Sequence, residues 1–163
     1  MGFLPPRVLS GDTSLLMPGA SPYHFGMLSS TMHMAWVRGV CGRLESRYRY
    51  SAQIVFNNFP WPDPAPRAIA AVTAAAEAVL AARAGHRGAT LAALYDPVAM
   101  PSDLARAHAA LDRAVDAAYG APRAFATEAE RLAFLFARYA ALTAPLDPAP
   151  SAARRARSRP PRP

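Results

Sequence analysis

Four prolines between residues 60 and 66 (Pro60, Pro62, Pro64 and Pro66) constrain this chain more than any other feature. A proline donates no backbone hydrogen bond and pushes the residue before it out of helical space. No helix and no central strand is expected to cross that segment. It is therefore the candidate boundary between an N-terminal part, residues 1–62, and a C-terminal part, residues 63–146.

Beyond the prolines the pattern is helical. Amphipathic helices are predicted over about 67–84, 103–119 and 128–142, with a short helical turn at 91–95. Ser102 and Gly120 bracket the second, and Thr127 with Glu130 forms a capping box at the start of the third, which closes before Pro145. Leu104, Ala107, Leu111 and Val115 fall on one stripe, as do Leu132, Leu135, Phe136 and Tyr139. Single stripes of that kind predict a small helical bundle. From about 147 to 163 proline, alanine, serine and arginine leave no apolar period, and a disordered basic tail is expected, with Arg154 to Arg162 as an optional source of nonspecific attraction to DNA.

The N-terminal part reads differently. Residues 1–20 contain only one strand-like stretch, 14–17, too little for a sheet by itself, so further chain upstream is expected. Ser21 as N-cap and Pro22 at the first helical position open one helix, in which Phe25, Leu28, Met32, Trp36 and Val40 recur until Gly42. Ser29, His33 and Arg38 lie on its other face, where His33 is expected to make a local hydrogen bond. A loop over 43–51 is predicted next, then a strand over 53–59 built on Ile54, Val55 and Phe56. The fold class is thus mainly α with a small α+β N-terminal part.

The loop carries the chemistry. Arg38, Arg43, Arg47 and Arg49 stand against one acid, Glu45, with Tyr48 and Tyr50 interleaved. Guanidinium groups bind phosphate or guanine in bidentate fashion, whereas a carboxylate repels phosphate but accepts from cytosine N4. Such a set suits duplex DNA. Arg38, Arg43 and Arg49 are the candidate phosphate ligands and Tyr48 and Tyr50 the candidate stacking residues, with core packing open for one of the tyrosines. Net charge follows the same division, at +3 over 1–62, −1 over 63–150 and +5 over 151–163. Because every basic residue besides histidine is arginine and alanine dominates, the charge alone says little about partners.

Other chemistries find little support. The single cysteine, Cys41, forms no internal disulfide, and His24, His33 and Cys41 have no zinc spacing, so no metal is expected. The N-terminus lacks an export signal, and the apolar run 68–82 contains Glu77 and is short for a bilayer span, so a soluble protein with no membrane partner is expected. His108 and Asp112, four apart, read as a local pair, and Asp96 and Asp103 as turn and helix-start residues. No catalytic motif and no small-molecule substrate are legible.

The blocks HFGMLSSTMHMAWVRGVCGRLESRYRYS and NNFPWP, followed by LYDPVAMPSDLARAHAALDRAVDAAYG and ERLAFLFARY, resemble the C-terminal part of the MmeI-like, Type IIL restriction-modification family of DNA adenine methyltransferases. The resemblance implies the end of a target-recognition domain, incomplete here, then a C-terminal helical domain, in a protein of the bacterial cytoplasm. It also implies that Glu45 and Arg47 read one base pair, since relatives carry either acid-x-Arg or Lys-x-acid at those positions. The intact family uses S-adenosylmethionine, but this chain has no glycine-rich strand-to-helix turn to hold it. Asn58-Phe59-Pro60-Trp61 resembles the N-P-P-aromatic motif of adenine methyltransferases, yet Phe59 replaces the first proline and a structural hinge is the expected role. The missing methyltransferase portion is then a further partner. Two alternatives stay open: a helical protein-interaction module, and the remnant of a truncated gene.

Overall fold

Ser30 interrupts the helix expected over the first half. In the computed structural model, which describes residues 1–5, 7–11, 14–121 and 125–144, α1 spans Pro22–Ser29 and α2 spans Thr31–Val40. The Ser30 hydroxyl donates to the Met27 carbonyl at 2.7 Å and accepts from the His33 amide at 3.3 Å, so one side chain ends α1 and caps α2. Serine competes with helix in this way by offering the backbone local hydrogen bonds. Asp112 satisfies a second free amide of the α2 start, accepting from Thr31 N at 2.8 Å. The expected pairing of Asp112 with His108 is electrostatic, the Asp112 charge opposing the lowering of the His108 pKa by burial and by Arg83, while His108 Nε2 meets the Tyr95 hydroxyl at 2.6 Å.

The segment expected as a loop is a hairpin, β1 (Gly42–Leu44) antiparallel to β2 (Arg47–Arg49), with Gly42 opposite Arg49, Arg43 opposite Tyr48 and Leu44 opposite Arg47. The expected strand is not one. Ala52–Phe56 forms a single π-helical turn, capped by Ser51 and closed by Asn57 N donating to the Ala52 carbonyl at 2.8 Å. The Trp36 indole donates to the Val55 carbonyl at 2.9 Å, and the Asn58 amide donates to the Gln53 and Ile54 carbonyls at 2.7 and 3.1 Å. With its carbonyls taken by side chains, the apolar run buries Val55 and leaves Ile54 in solvent. Residues 14–17 form no strand either.

The C-terminal helices follow the sequence closely: α3 (Pro66–Gly85), α4 (Leu91–Leu94), α5 (Ser102–Ala118) and α6 (Glu128–Thr143). Thr127 accepts from Glu130 N at 3.2 Å as the N-cap of α6, with the Glu130 carboxylate accepting from Ala126 N at 2.8 Å, one residue before the backbone group that a capping box uses, and Asp96 accepts from Val98 N and Ala99 N in its turn. By length and composition alone α3 is sufficient to cross a membrane, contrary to the expectation from 68–82; Val72, Ala76 and Val79 are buried, with α1 and α5 packed along it. The expected tail, 147–163, lies outside the described residues.

The proline segment does not separate two cores. Met27, Met32, Trp36, Val55 and Phe59 join Val72, Val79, Leu104, Leu111, Val115 and Leu135 in one buried cluster. Gly26 permits this closeness, because a Cβ there would stand 3.0 Å from Ala76 Cβ and from Val72 Cγ1. Arg138 bridges the boundary, donating twice to the Trp61 carbonyl at 2.8 and 3.0 Å. Between α5 and α6, Arg131 grips the buried Asp116 through both carboxylate oxygens at 2.8 and 3.2 Å.

Burial also gives His33 a stability signature. Its imidazole is 1% exposed, and desolvation lowers its pKa from 6.5 to about 4. Between those values the unfolded chain binds the proton and the folded chain does not, so stability present above pH 6.5 is lost as pH falls toward 4. A melting series over that range is expected to show a falling midpoint that His33→Phe flattens. Equal slopes in both proteins would assign the acid sensitivity elsewhere.

Candidate nucleic-acid interface

Every residue of β1 and β2 is exposed, so the hairpin projects its side chains into solvent from the end of α2. Strand alternation puts Arg47 and Arg49 on one face and Tyr48 on the other. On that second face the Arg43 guanidinium lies over the Tyr48 ring, 4.5 Å from its centroid, and donates to its hydroxyl at 3.3 Å. On the first, the cross-strand neighbour of Arg47 is Leu44, itself exposed.

Glu45 and Ser46 make the two-residue turn, and Glu45 has φ 56°, in the left-handed region that favours glycine. A bulky acid in that conformation costs on the order of 1 kcal/mol. The Arg47 guanidinium donates to the Glu45 carboxylate at 3.2 Å, and the two side chains are 84% and 74% exposed. An ion pair so solvated contributes about 0–1 kcal/mol. Either group can therefore leave the other for a stronger partner at little cost.

Two predicted residues are already engaged. Arg38 is ion-paired with Glu128 at the start of α6, which holds its pKa above the usual arginine value. Tyr50 lies past the end of β2, half-buried, with its hydroxyl 3.0 Å from His33 Nε2; burial pushes its pKa up to about 12. The structure thus gathers Arg43, Glu45, Arg47, Tyr48 and Arg49 on one projection and leaves Arg38 and Tyr50 at its base. His33 was misplaced by the sequence reading. Along α2 His33 shares the stripe of Trp36, Val37 and Val40, three, four and seven residues on, a spacing that the sequence already carries.

Asn58 points its amide into the π-turn, and Phe59 and Pro60 are buried. The Asn58 amide thus caps the turn that precedes it, and the two residues after it pack into the core. The strands among the described residues are β1 and β2. Among the described residues no three His, Cys, Asp or Glu side chains converge in a metal-sized group.

Residues 1–63 match the MmeI target recognition domain, and residues 65–147 match the MmeI C-terminal domain. The chain belongs to the MmeI family. It is 38% identical over 146 residues to DNA methyltransferase A of Bacillus subtilis (strain 168), an alignment covering 86% of this chain and 16% of that protein. It is also similar to the solved structure of the Type IIL restriction-modification enzyme MmeI in complex with DNA, at 52% identity and a TM-score of 0.74, over 78% of this chain and 17% of that one. The chain therefore spans about a sixth of these relatives, 16% and 17% by length. In MmeI terms the hairpin belongs to the target recognition segment, while α3 to α6 fall within the C-terminal domain match.

Proposed function

We propose that this chain is the DNA-reading hairpin and helical brace of an MmeI-type adenine methyltransferase or restriction-modification protein, with no chemistry of its own. The observation that carries the reading is the hairpin tip, where a strained Glu45 and an exposed Arg47 stand side by side beyond the protein surface. Glu45 accepts from cytosine N4 while Arg47 donates to guanine O6 and N7, so one G·C pair satisfies both. Each contact is worth about 1–3 kcal/mol of discrimination, more than the solvated ion pair that must open to make it.

Arg43 and Arg49 grip phosphate, which positions the hairpin without reading sequence. Tyr48, stacked under Arg43, holds that guanidinium in place. Arg38, engaged by Glu128, serves the base of the hairpin. The rest of an intact methyltransferase supplies S-adenosylmethionine and packs over the exposed Phe3, Leu4, Leu15 and Leu16, and the setting is the bacterial cytoplasm.

Salt tests the electrostatic half. Binding to duplex DNA weakens log-linearly with salt, and Arg43→Ala and Arg49→Ala each reduce the slope by about 1 while lowering affinity evenly across sequences. Affinity indifferent to salt would favour the helical protein-interaction module. Unequal losses across sequences would make one of these arginines a base reader.

A further inference from the structure

A two-stranded hairpin of three-residue strands, exposed on both faces, is marginal on its own. To read a base it needs a fixed angle to the body of the protein. The chain enters β1 directly from α2, through Cys41, and leaves β2 through Tyr50. Tyr50 returns to the same helix: its hydroxyl meets Nε2 of His33, 17 residues earlier, at 3.0 Å. Both ends of the hairpin are thereby tied to α2, one by the backbone and one by this hydrogen bond.

His33 is an expensive way to fill that position. The imidazole is buried, edge-on to Phe59 at a centroid distance of 4.6 Å, and its Nδ1 has no hydrogen-bond partner among the described residues. Buried polar atoms are normally satisfied, and an apolar side chain of similar volume would leave none orphaned. Stability therefore does not explain a histidine here. Among the described residues the one hydrogen bond its ring makes is with Tyr50, and Tyr50 abuts the strand that carries Arg47 and Arg49.

We infer that His33 and Tyr50 are positioning residues for DNA readout: their hydrogen bond sets the angle of the hairpin, and with it the alignment of Glu45 and Arg47 against the base pair. Neither touches DNA. The inference rests on the hairpin reading DNA, as proposed above.

The test uses the full chain and a panel of duplexes differing at one base pair, with His33→Phe, Tyr50→Phe, the double variant and His33→Gln. The ratio of affinities for preferred and inverted pairs is expected to fall about tenfold in either single variant, the effect of one misaligned hydrogen-bonding contact. Melting of Tyr50→Phe, which loses one oxygen and keeps its ring, controls for folding, so that variant carries the test if His33→Phe does not fold. The double variant should lose no more than either single one, His33→Gln should recover part of the ratio, and the salt slope should stay as in the unaltered chain. If the unaltered chain discriminates and both single variants discriminate equally well, the positioning role is overturned while DNA reading stands. If the unaltered chain shows no preference at all, the reading itself fails and this inference with it.

Discussion

Exchanging Glu45 for lysine and Arg47 for aspartate is expected to invert the preferred base pair at one position of the DNA site, from G·C to C·G. Lysine donates to guanine O6 and N7 and aspartate accepts from cytosine N4, so the reversed side chains satisfy the reversed pair. With each of the two contacts worth about 1–3 kcal/mol, either protein should prefer its own duplex by at least about thirtyfold, and the swing between them is on the order of a thousandfold or more. Competition binding with the two duplexes reads it directly. The register supports the exchange, because position 45 sits in the turn and position 47 pairs with Leu44 through backbone atoms whatever the side chain. Glu45→Gly is the control: at φ 56° it relieves strain, so the hairpin should be no less stable while the preference at that pair drops. An exchange that left the preferred pair unchanged, with affinity intact, would remove Glu45 and Arg47 from readout altogether.

The second large effect concerns folding. Leu111→Ala is expected to destabilise the protein by about 2–5 kcal/mol, because Leu111 is fully buried and its removal opens a cavity that the helices cannot close. The cavity would lie beside Gly26, where a Cβ would meet Leu111 Cδ1 at 3.1 Å. Such a loss is a large fraction of the roughly 5–15 kcal/mol that holds a domain together. Because Trp36 and Leu111 belong to one cluster, the midpoints by tryptophan fluorescence and by helical ellipticity should fall together. Two separated transitions would mean that the proline segment divides independent folding units after all.

That expectation reverses what the prolines suggest by themselves. Pro60, Pro62, Pro64 and Pro66 do stop regular structure, and α3 starts at Pro66. Stopping a helix is a local event, however, and does not prevent the segments on either side from sharing a core. Local signals served well elsewhere: Thr127 with Glu130, the stripe of Leu104, Leu111 and Val115, and the Asp96 turn all stand where the sequence put them. They failed where a side chain claimed a backbone group. Ser30 divided a helix whose apolar period runs through the break. Trp36 and Asn58 took the carbonyls of a β-branched run that reads as a strand. The hairpin was hidden because its turn, Glu45-Ser46, lacks the glycine or asparagine that announces such turns.

The candidate site divides along the same line. Glu45, Arg47 and the arginines around them were legible as residue types suited to DNA, and the resemblance to the MmeI family was carried by contiguous blocks of sequence. The helix limits beyond the proline segment, the charge distribution and this inventory of DNA-suited side chains are local properties, and composition and spacing were enough to place them. Only the tertiary structure decided which of those groups face solvent and which are already occupied. His33 meets Tyr50 from 17 residues away, Thr31 meets Asp112 from 81 and Arg38 meets Glu128 from 90. Contacts at such separations depend on how whole helices pack, and no periodicity of 2 or 3.6 residues encodes them.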